Sequence, residues 1–338
     1  MQYKFDIVII GAGPAGLACA RQFADSDFSV LIIDQHNKIG FKVCAGGIRV
    51  NDLLNLGIIP ERIIGCDIFT FMEGDQKIDY TTIDRKKLSE VQLKTVNNVH
   101  NIKKIFGWRV TEILPRTITI NNGINSRTIF FNYLVGADGS MSKVRQKLQI
   151  KTKNELLLEI IQLDLPIKEE TIKYKTISYF YDNILFGDWY AYIFPHFNHR
   201  IYKVGCGGSV AWIKENCINL KRNFEIWLKD MKIETGGIIP KRGLINADYQ
   251  GFDFSDSHLG KVYLCGDAAG LANYYSGEGI HQALVSGTEI GKIILNENHV
   301  PERLNQIISQ KQREIDSLFT NKRTGKLSIM KKFVKWLV

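Results

Sequence analysis

Residues 5–10 (FDIVII) form a short apolar run closed by glycine, the pattern of a parallel strand covered on both faces. A helix-like stretch, LACARQFADSD, follows, and a second apolar run, FSVLIID, ends on Asp34. Apolar runs closing on glycine and aspartate recur at 132–139 (NYLVGADG) and 261–270 (KVYLCGDAAG). Between these motifs, RVTEIL, TITI and RTIFF alternate like strands, with Asn122-Gly123 as a hairpin-type turn. The order predicts an α/β fold with a parallel sheet and a small β-meander. Residues 326–338 (KLSIMKKFVKWLV) return to helical spacing. There Ile329, Met330, Phe333, Val334 and Leu337 lie on one face, and Ser328, Lys331, Lys332 and Lys335 lie opposite.

The first turn carries chemistry. In Gly11-Ala12-Gly13-Pro14-Ala15-Gly16 the first glycine makes a tight turn, the second lets backbone reach a pyrophosphate, and the third lets helix pack on strand. The helix N-terminus then faces phosphates with its partial positive charge. Asp34, 23 residues after Gly11, is placed to accept from a ribose hydroxyl. Asp267 and Asp138, at the carboxyl ends of their strands, stand where open α/β sheets bind ligands. Asp267 could hold a sugar-chain hydroxyl, and Asp138 could orient loop backbone.

Composition narrows the function classes. The 338 residues are 45% hydrophobic and 23% charged, which suits a folded chain of two domains or one large one. The net charge is +9, but six basic and no acidic residues follow from Lys322 onward, leaving +3 for the rest. A nearly neutral body with a basic tail and no recognised motif argues against nucleic acid. No apolar run reaches the roughly 18 residues of a membrane span. The N-terminus lacks a signal-peptide pattern, and the six scattered cysteines lack a C-x-x-C pair, so a reducing cytoplasm is expected. The seven histidines form no ligand cluster, and no metal is expected. The basic amphipathic tail, with Trp336 at its border, suits an anionic membrane surface or the protein's own body.

Taken together and in this order, GAGPAG, GADGSMSKVR and GDAAG resemble the flavoproteins of the para-hydroxybenzoate hydroxylase fold. Three further segments resemble the geranylgeranyl reductase family: Lys42-Val43-Cys44-Ala45-Gly46-Gly47, Tyr190-Ala191-Tyr192-Ile193-Phe194-Pro195, and Asp267-Ala268-Ala269-Gly270 through Ser276-Gly277-Glu278-Gly279-Ile280. Ala45, Tyr192 and Tyr274 stand where that family usually has Gly, Trp and Pro. The resemblance implies one FAD in a discontinuous Rossmann-like domain (1–60, 80–150 and 255–300), with a sheet-based substrate domain (61–79 and 151–254) and a C-terminal helical segment (301–338). It implies cofactor contacts from Gly11, Gly13, Pro14, Ala15, Gly16, Asp34, Gln35, Ala45, Gly46, Arg85, Val110, Gly266, Asp267, Gly277, Gly279 and Ile280. Tyr190, Tyr192, Phe194 and Pro195 would line an apolar substrate slot, and Cys44, Tyr192 and Gly279 would stand at the reacting carbons. Cys44 reads as a proton donor or electrostatic partner, or as a small buried residue.

The implied activity is saturation of polyprenyl C=C bonds by hydride from reduced FAD. The substrate would be a prenyl chain or lipid, the electron donor NAD(P)H or a ferredoxin-like protein, and the location cytoplasmic, with membrane-surface contact through the tail. The alternatives are an FAD-dependent monooxygenase of an aromatic or lipid substrate and a non-enzymatic flavin-binding or membrane-docking protein. The first lacks its branch's His after G-D-A-A.

Overall fold

A computed structural model describes residues 3–56, 68–73, 76–167 and 174–324. Cys66, part of the 61–79 segment and the amphipathic tail at 326–338 lie outside them. The largest sheet follows the order β15-β16-β9-β1-β2-β6. Its central strand β1 (Tyr3–Ile10) runs parallel to β2 (Val30–Asp34) and to β9 (Ser126–Gly136). Strand β2 is followed outward by β6 (Ile102–Phe106), and β9 by β16 (Gly260–Leu264), all parallel. An antiparallel β15 (Asp253–Ser257) closes that edge.

Strand periodicity sorts β1 between two layers. Ile7 and Ile9 pack with helices α1 (Pro14–Arg21) and α8 (Ile280–Leu295). Val8 and Ile10 pack on the meander β7 (Arg109–Leu114) and β8 (Thr117–Asn121), which pairs antiparallel with β9. The run RTIFF and the motif strand NYLVG are thus one long strand, and its first half bonds to the meander.

A second sheet, β11-β12-β13-β10-β14, is antiparallel throughout. Its strands are β10 (Leu157–Pro166), β11 (Ser178–Tyr181), β12 (Tyr190–His196), β13 (Ile201–Ser209) and β14 (Lys241–Asn246). The outer face buries Ile161, Leu163, Ile193 and Val204 under helix α7 (Leu220–Asp230) through Phe224 and Trp227. The inner face carries Ile160, Tyr190, Tyr192 and Phe194. A small sheet of β3 (Gly47–Arg49), β4 (Phe69–Glu73) and β5 (Gln76–Thr82) flanks it. Helix α3 (Arg85–Lys94) starts where Asp84 accepts from the amides of Lys86 and Lys87, and α9 (Glu302–Thr324) completes the described chain. No helix among the described residues is long and apolar enough to cross a membrane.

Candidate active site

One cavity of about 1390 Å³ runs from the carboxyl ends of the parallel strands to the inner face of the antiparallel sheet. A single ligand pocket commonly measures about 300–1,000 Å³, so this one has room for a cofactor and a substrate together. At its nucleotide end, the amide of Ala12 donates to Asp34 Oδ2 and that of His36 to Oδ1, both at 2.8 Å. The two bonds hold the carboxylate between the glycine loop and the end of β2. Gly13 lines the cavity, and a β-carbon built on it meets nothing within 4 Å among the described residues, so the space beyond it is open to them. Arg85 also lines the cavity, is 9% exposed, and its Nε has no hydrogen-bond partner among the described residues. An open cradle at a helix N-terminus, a buried guanidinium donor and a fixed acceptor suit the pyrophosphate and ribose of a dinucleotide, so the residues present fit FAD. Asp138, in the same wall, accepts from Lys143 N at 2.7 Å through Oδ2; burial pushes its carboxyl up.

The middle of the cavity is set by Gly266–Ile280. Asp267 Oδ2 lies 2.5 Å from Lys42 Nζ and 2.9 Å from Ser140 Oγ. Asn273 N donates to Glu278 O at 2.7 Å, and Asn273 Oδ1 accepts from the amides of Tyr275 and Ser276. The loop ends at Gly279, the N-cap of α8, so the helix start faces the cavity beside Gly277.

Two buried ion pairs fasten this loop from behind. Arg145 Nη2 meets Asp248 Oδ2 at 3.2 Å, and its Nη1 reaches Ala268 O at 3.5 Å. On α9, Lys311 donates to Ala272 O at 2.5 Å and to Glu314 Oε1 at 3.1 Å, while the amide of Tyr274 also donates to Glu314. Burial lowers the Lys311 ammonium and raises the Glu314 carboxyl, each opposed by its partner.

The far wall is aromatic. Tyr192, Gly205 and Gln162 stand in one register row across β12, β13 and β10. A β-carbon at Gly205 would lie 2.4 Å from the Tyr192 hydroxyl, so glycine lets the ring lie across β13 and donate to Gln162 Oε1 at 3.0 Å. Tyr190 donates to Ser276 O at 2.6 Å, tying the wall to the loop. Tyr179 packs edge-on against Tyr190 and Phe194 at 5.1 and 5.5 Å. Burial pushes the Tyr179, Tyr190 and Tyr192 hydroxyls well up, so they stay neutral. With the Tyr190 and Tyr192 hydroxyls committed to protein acceptors, those rings offer mainly carbon to a ligand.

His196, at the end of β12, is 1% exposed and its Nε2 is 2.8 Å from Ala45 O. A carbonyl only accepts, so Nε2 carries the proton of the neutral ring. Burial first, and the neighbouring Lys203 ammonium second, hold the imidazole down at about 4, against an ordinary 6.5. The unfolded chain therefore binds this proton at a higher pH than the folded one. Stability from this group is complete above about pH 6.5 and falls as the pH drops toward 4, by about 3 kcal/mol over the window. Urea unfolding of wild type and His196→Gln between pH 7 and pH 4.5 should show that component only in wild type.

Residues 9–50 match the model of a family described as an NAD(P)-binding Rossmann-like domain. Digeranylgeranylglycerophospholipid reductase 2 of Methanosphaera stadtmanae is 26% identical over 310 residues, which is 85% of this chain and 76% of the relative. Geranylgeranyl diphosphate reductase of Rhodobacter capsulatus is 25% identical over 307 residues, 84% of this chain and 73% of the relative. The crystal structure of a geranylgeranyl bacteriochlorophyll reductase-like protein from Thermoplasma acidophilum superposes with a TM-score of 0.73 at 16% identity, covering 93% of this chain and 85% of that one. The chain is similar over most of its length to proteins named geranylgeranyl reductases.

Most of the residues singled out from sequence line the same cavity. The nucleotide end holds Gly11, Gly13, Pro14, Ala15, Asp34, Gln35, Arg85 and Val110, and the middle holds Cys44, Ala45, Gly46, Gly266, Asp267, Gly277, Gly279 and Ile280. Tyr190, Tyr192 and Phe194 line the far end. Two residues stand off it. Gly16 faces the strand end, where a β-carbon would lie 1.9 Å from Gly11 O. Pro195 falls on the opposite face of β12, one residue out of phase with Phe194, and its carbonyl accepts from Thr82 Oγ1. Sequence reasoning missed Gln162, His196, Arg145, Asp248, Lys311 and Glu314. The last two carried a signal: with Leu304 they fall on the buried stripe of α9, and a charge pair on such a stripe requires a partner.

Proposed function

We propose that this chain binds one FAD in the cavity and reduces C=C double bonds of a polyprenyl chain. The observation that carries the reading is the tyrosine wall opposite the Gly266–Ile280 loop, whose Tyr190 and Tyr192 hydroxyls are spent on Ser276 and Gln162. Such a wall binds hydrocarbon, at about 0.8 kcal/mol per buried CH₂. FAD, bound in reduced form, would supply the hydride for alkene reduction. The chain's residues orient the rest: Arg85 and the α1 N-terminus hold phosphates, the loop and the α8 start fix the ring, and the aromatic wall excludes water. Cys44, Tyr192 and Gly279 line the same cavity; Cys44 is assigned the proton for the second carbon, and Tyr192 and Gly279 would stand beside the reacting atoms. The cofactor half is assigned to residues 1–60, 80–150 and 255–300, the substrate half to 61–79 and 151–254. NAD(P)H or a ferredoxin-like protein is the proposed electron donor, and the basic tail the proposed contact with a cytoplasmic membrane face.

The test is an anaerobic incubation of flavin-loaded, chemically reduced protein with geranylgeranyl diphosphate and with a geranylgeranylated glycerophospholipid. Flavin reoxidation with a product heavier by two hydrogens is expected. Neither event, together with NADPH-dependent oxygen uptake stimulated by a phenol, would move the chain to the monooxygenases.

A further inference from the structure

The Cys44–Gly46 segment is held by its carbonyls. Lys203 Nζ donates to Cys44 O at 3.0 Å, His196 Nε2 donates to Ala45 O at 2.8 Å, and the amide of Ile83 donates to Gly46 O at 2.9 Å. Residues 43–47 line the cavity, whereas Lys203, His196 and Ile83 do not; the three anchors stand behind the loop. The described peptides are all trans, and in a trans peptide the N–H points opposite the C=O. With three successive carbonyls drawn backward, the amides of Ala45, Gly46 and Gly47 face forward. Those of Ala45 and Gly46 make no backbone hydrogen bond among the described residues. Gly46 has φ +87°, and a β-carbon there would lie 2.5 Å from Ile83 O, so the turn that aligns the amides admits only glycine.

We propose that His196 and Lys203 are positioning residues for the cofactor: by holding the carbonyls of Ala45 and Cys44 from behind, they aim a pair of backbone N–H donors at a carbonyl edge of the isoalloxazine ring. The inference rests on the FAD reading of the cavity. It adds that the donors are set from the substrate-side sheet, by residues that never touch the flavin. The same two bonds fix where the Cys44 thiol stands.

The full-length protein is tested as His196→Met, Lys203→Met and His196→Gln, each first shown to be folded by circular dichroism. Gln places its amide nitrogen near the position of Nε2 and keeps the donor. FAD titration of the flavin-free protein should show dissociation constants raised about tenfold in both Met variants, with displaced flavin absorption maxima, and near-wild-type behaviour in His196→Gln. Alkylation of Cys44 in the flavin-free protein, identified on its peptide, should change rate in both Met variants and be restored by Gln. Wild-type affinity, spectrum and alkylation rate in both Met variants would overturn the proposal. So would a folded His196→Gln that behaves like His196→Met. Should His196→Met fail to fold, Lys203→Met and His196→Gln carry the decision. If wild type takes up no FAD, the FAD reading is what fails; unchanged Cys44 alkylation would then separately refute the positioning role.

Discussion

Gly11→Ala and Gly13→Ala, two residues apart on one turn, are expected to fail in different ways. Gly11 has φ +106°, and its β-carbon would lie 2.3 Å from Ala137 O and 2.6 Å from the carbonyl carbon, both backbone atoms at the end of β9. Neither can yield without parting strand ends joined by the bond from Ala137 N to Ile10 O at 2.8 Å. Gly11→Ala should therefore cost about 3 kcal/mol or more and lose the cofactor with the fold. Gly13 has φ −76° and ψ −178°, a conformation any residue adopts, and its β-carbon enters open space on the cavity side. Gly13→Ala should keep the wild-type urea midpoint while FAD affinity falls about a hundredfold, because the added methyl group occupies the path of the pyrophosphate. Equal loss of stability in both variants would contradict this division.

The second large effect is expected at Lys311. Its side chain is 2% exposed and that of Glu314 is 6%, so Lys311→Met leaves a carboxylate buried without its cation and Ala272 O without a donor. Removing one member of a buried pair costs about 3–5 kcal/mol. Lys311→Met/Glu314→Gln removes the stranded charge and keeps an acceptor for Tyr274 N, and should recover most of that loss. The recovered protein should still bind FAD more weakly than wild type, since Ala272 remains unheld and the loop around Gly277 moves with it. Urea unfolding and FAD titration of the three proteins separate the two effects.

Much of the nucleotide half was legible in the chain because its determinants are local. The apolar run, the glycines and Asp34 are neighbours, and the bonds from Ala12 N to Asp34 Oδ2 and from Gly11 N to Ile33 O fall within the first βαβ unit. The meander was legible for the same reason, through alternation and a turn. The clamp residues were not. Gln162 matters because register sets it in line with Gly205 and Tyr192, residues brought together from three strands. His196 follows a proline at the end of a strand, and nothing in FPH announces that Ala45, some 150 residues earlier, ends beneath it. Pro195 shows the limit of reading a motif as a unit: strand period 2 turns every second member of YAYIFP away from the slot.

The sheet order also sets a schedule for biosynthesis. Strand β16 and the loop that follows it leave the ribosome about 250 residues after β1, and the Lys311–Glu314 brace comes later still. At roughly 5–20 residues per second the nascent chain waits about 10–50 s with its first βαβ unit made, and for about the last 6–25 s of that β9 lacks its outer neighbour. An unpaired edge of that kind invites chaperones and misassociation. The berth is accordingly complete only once β16 and the loop after it are made, and flavin supplied earlier would find only half of it.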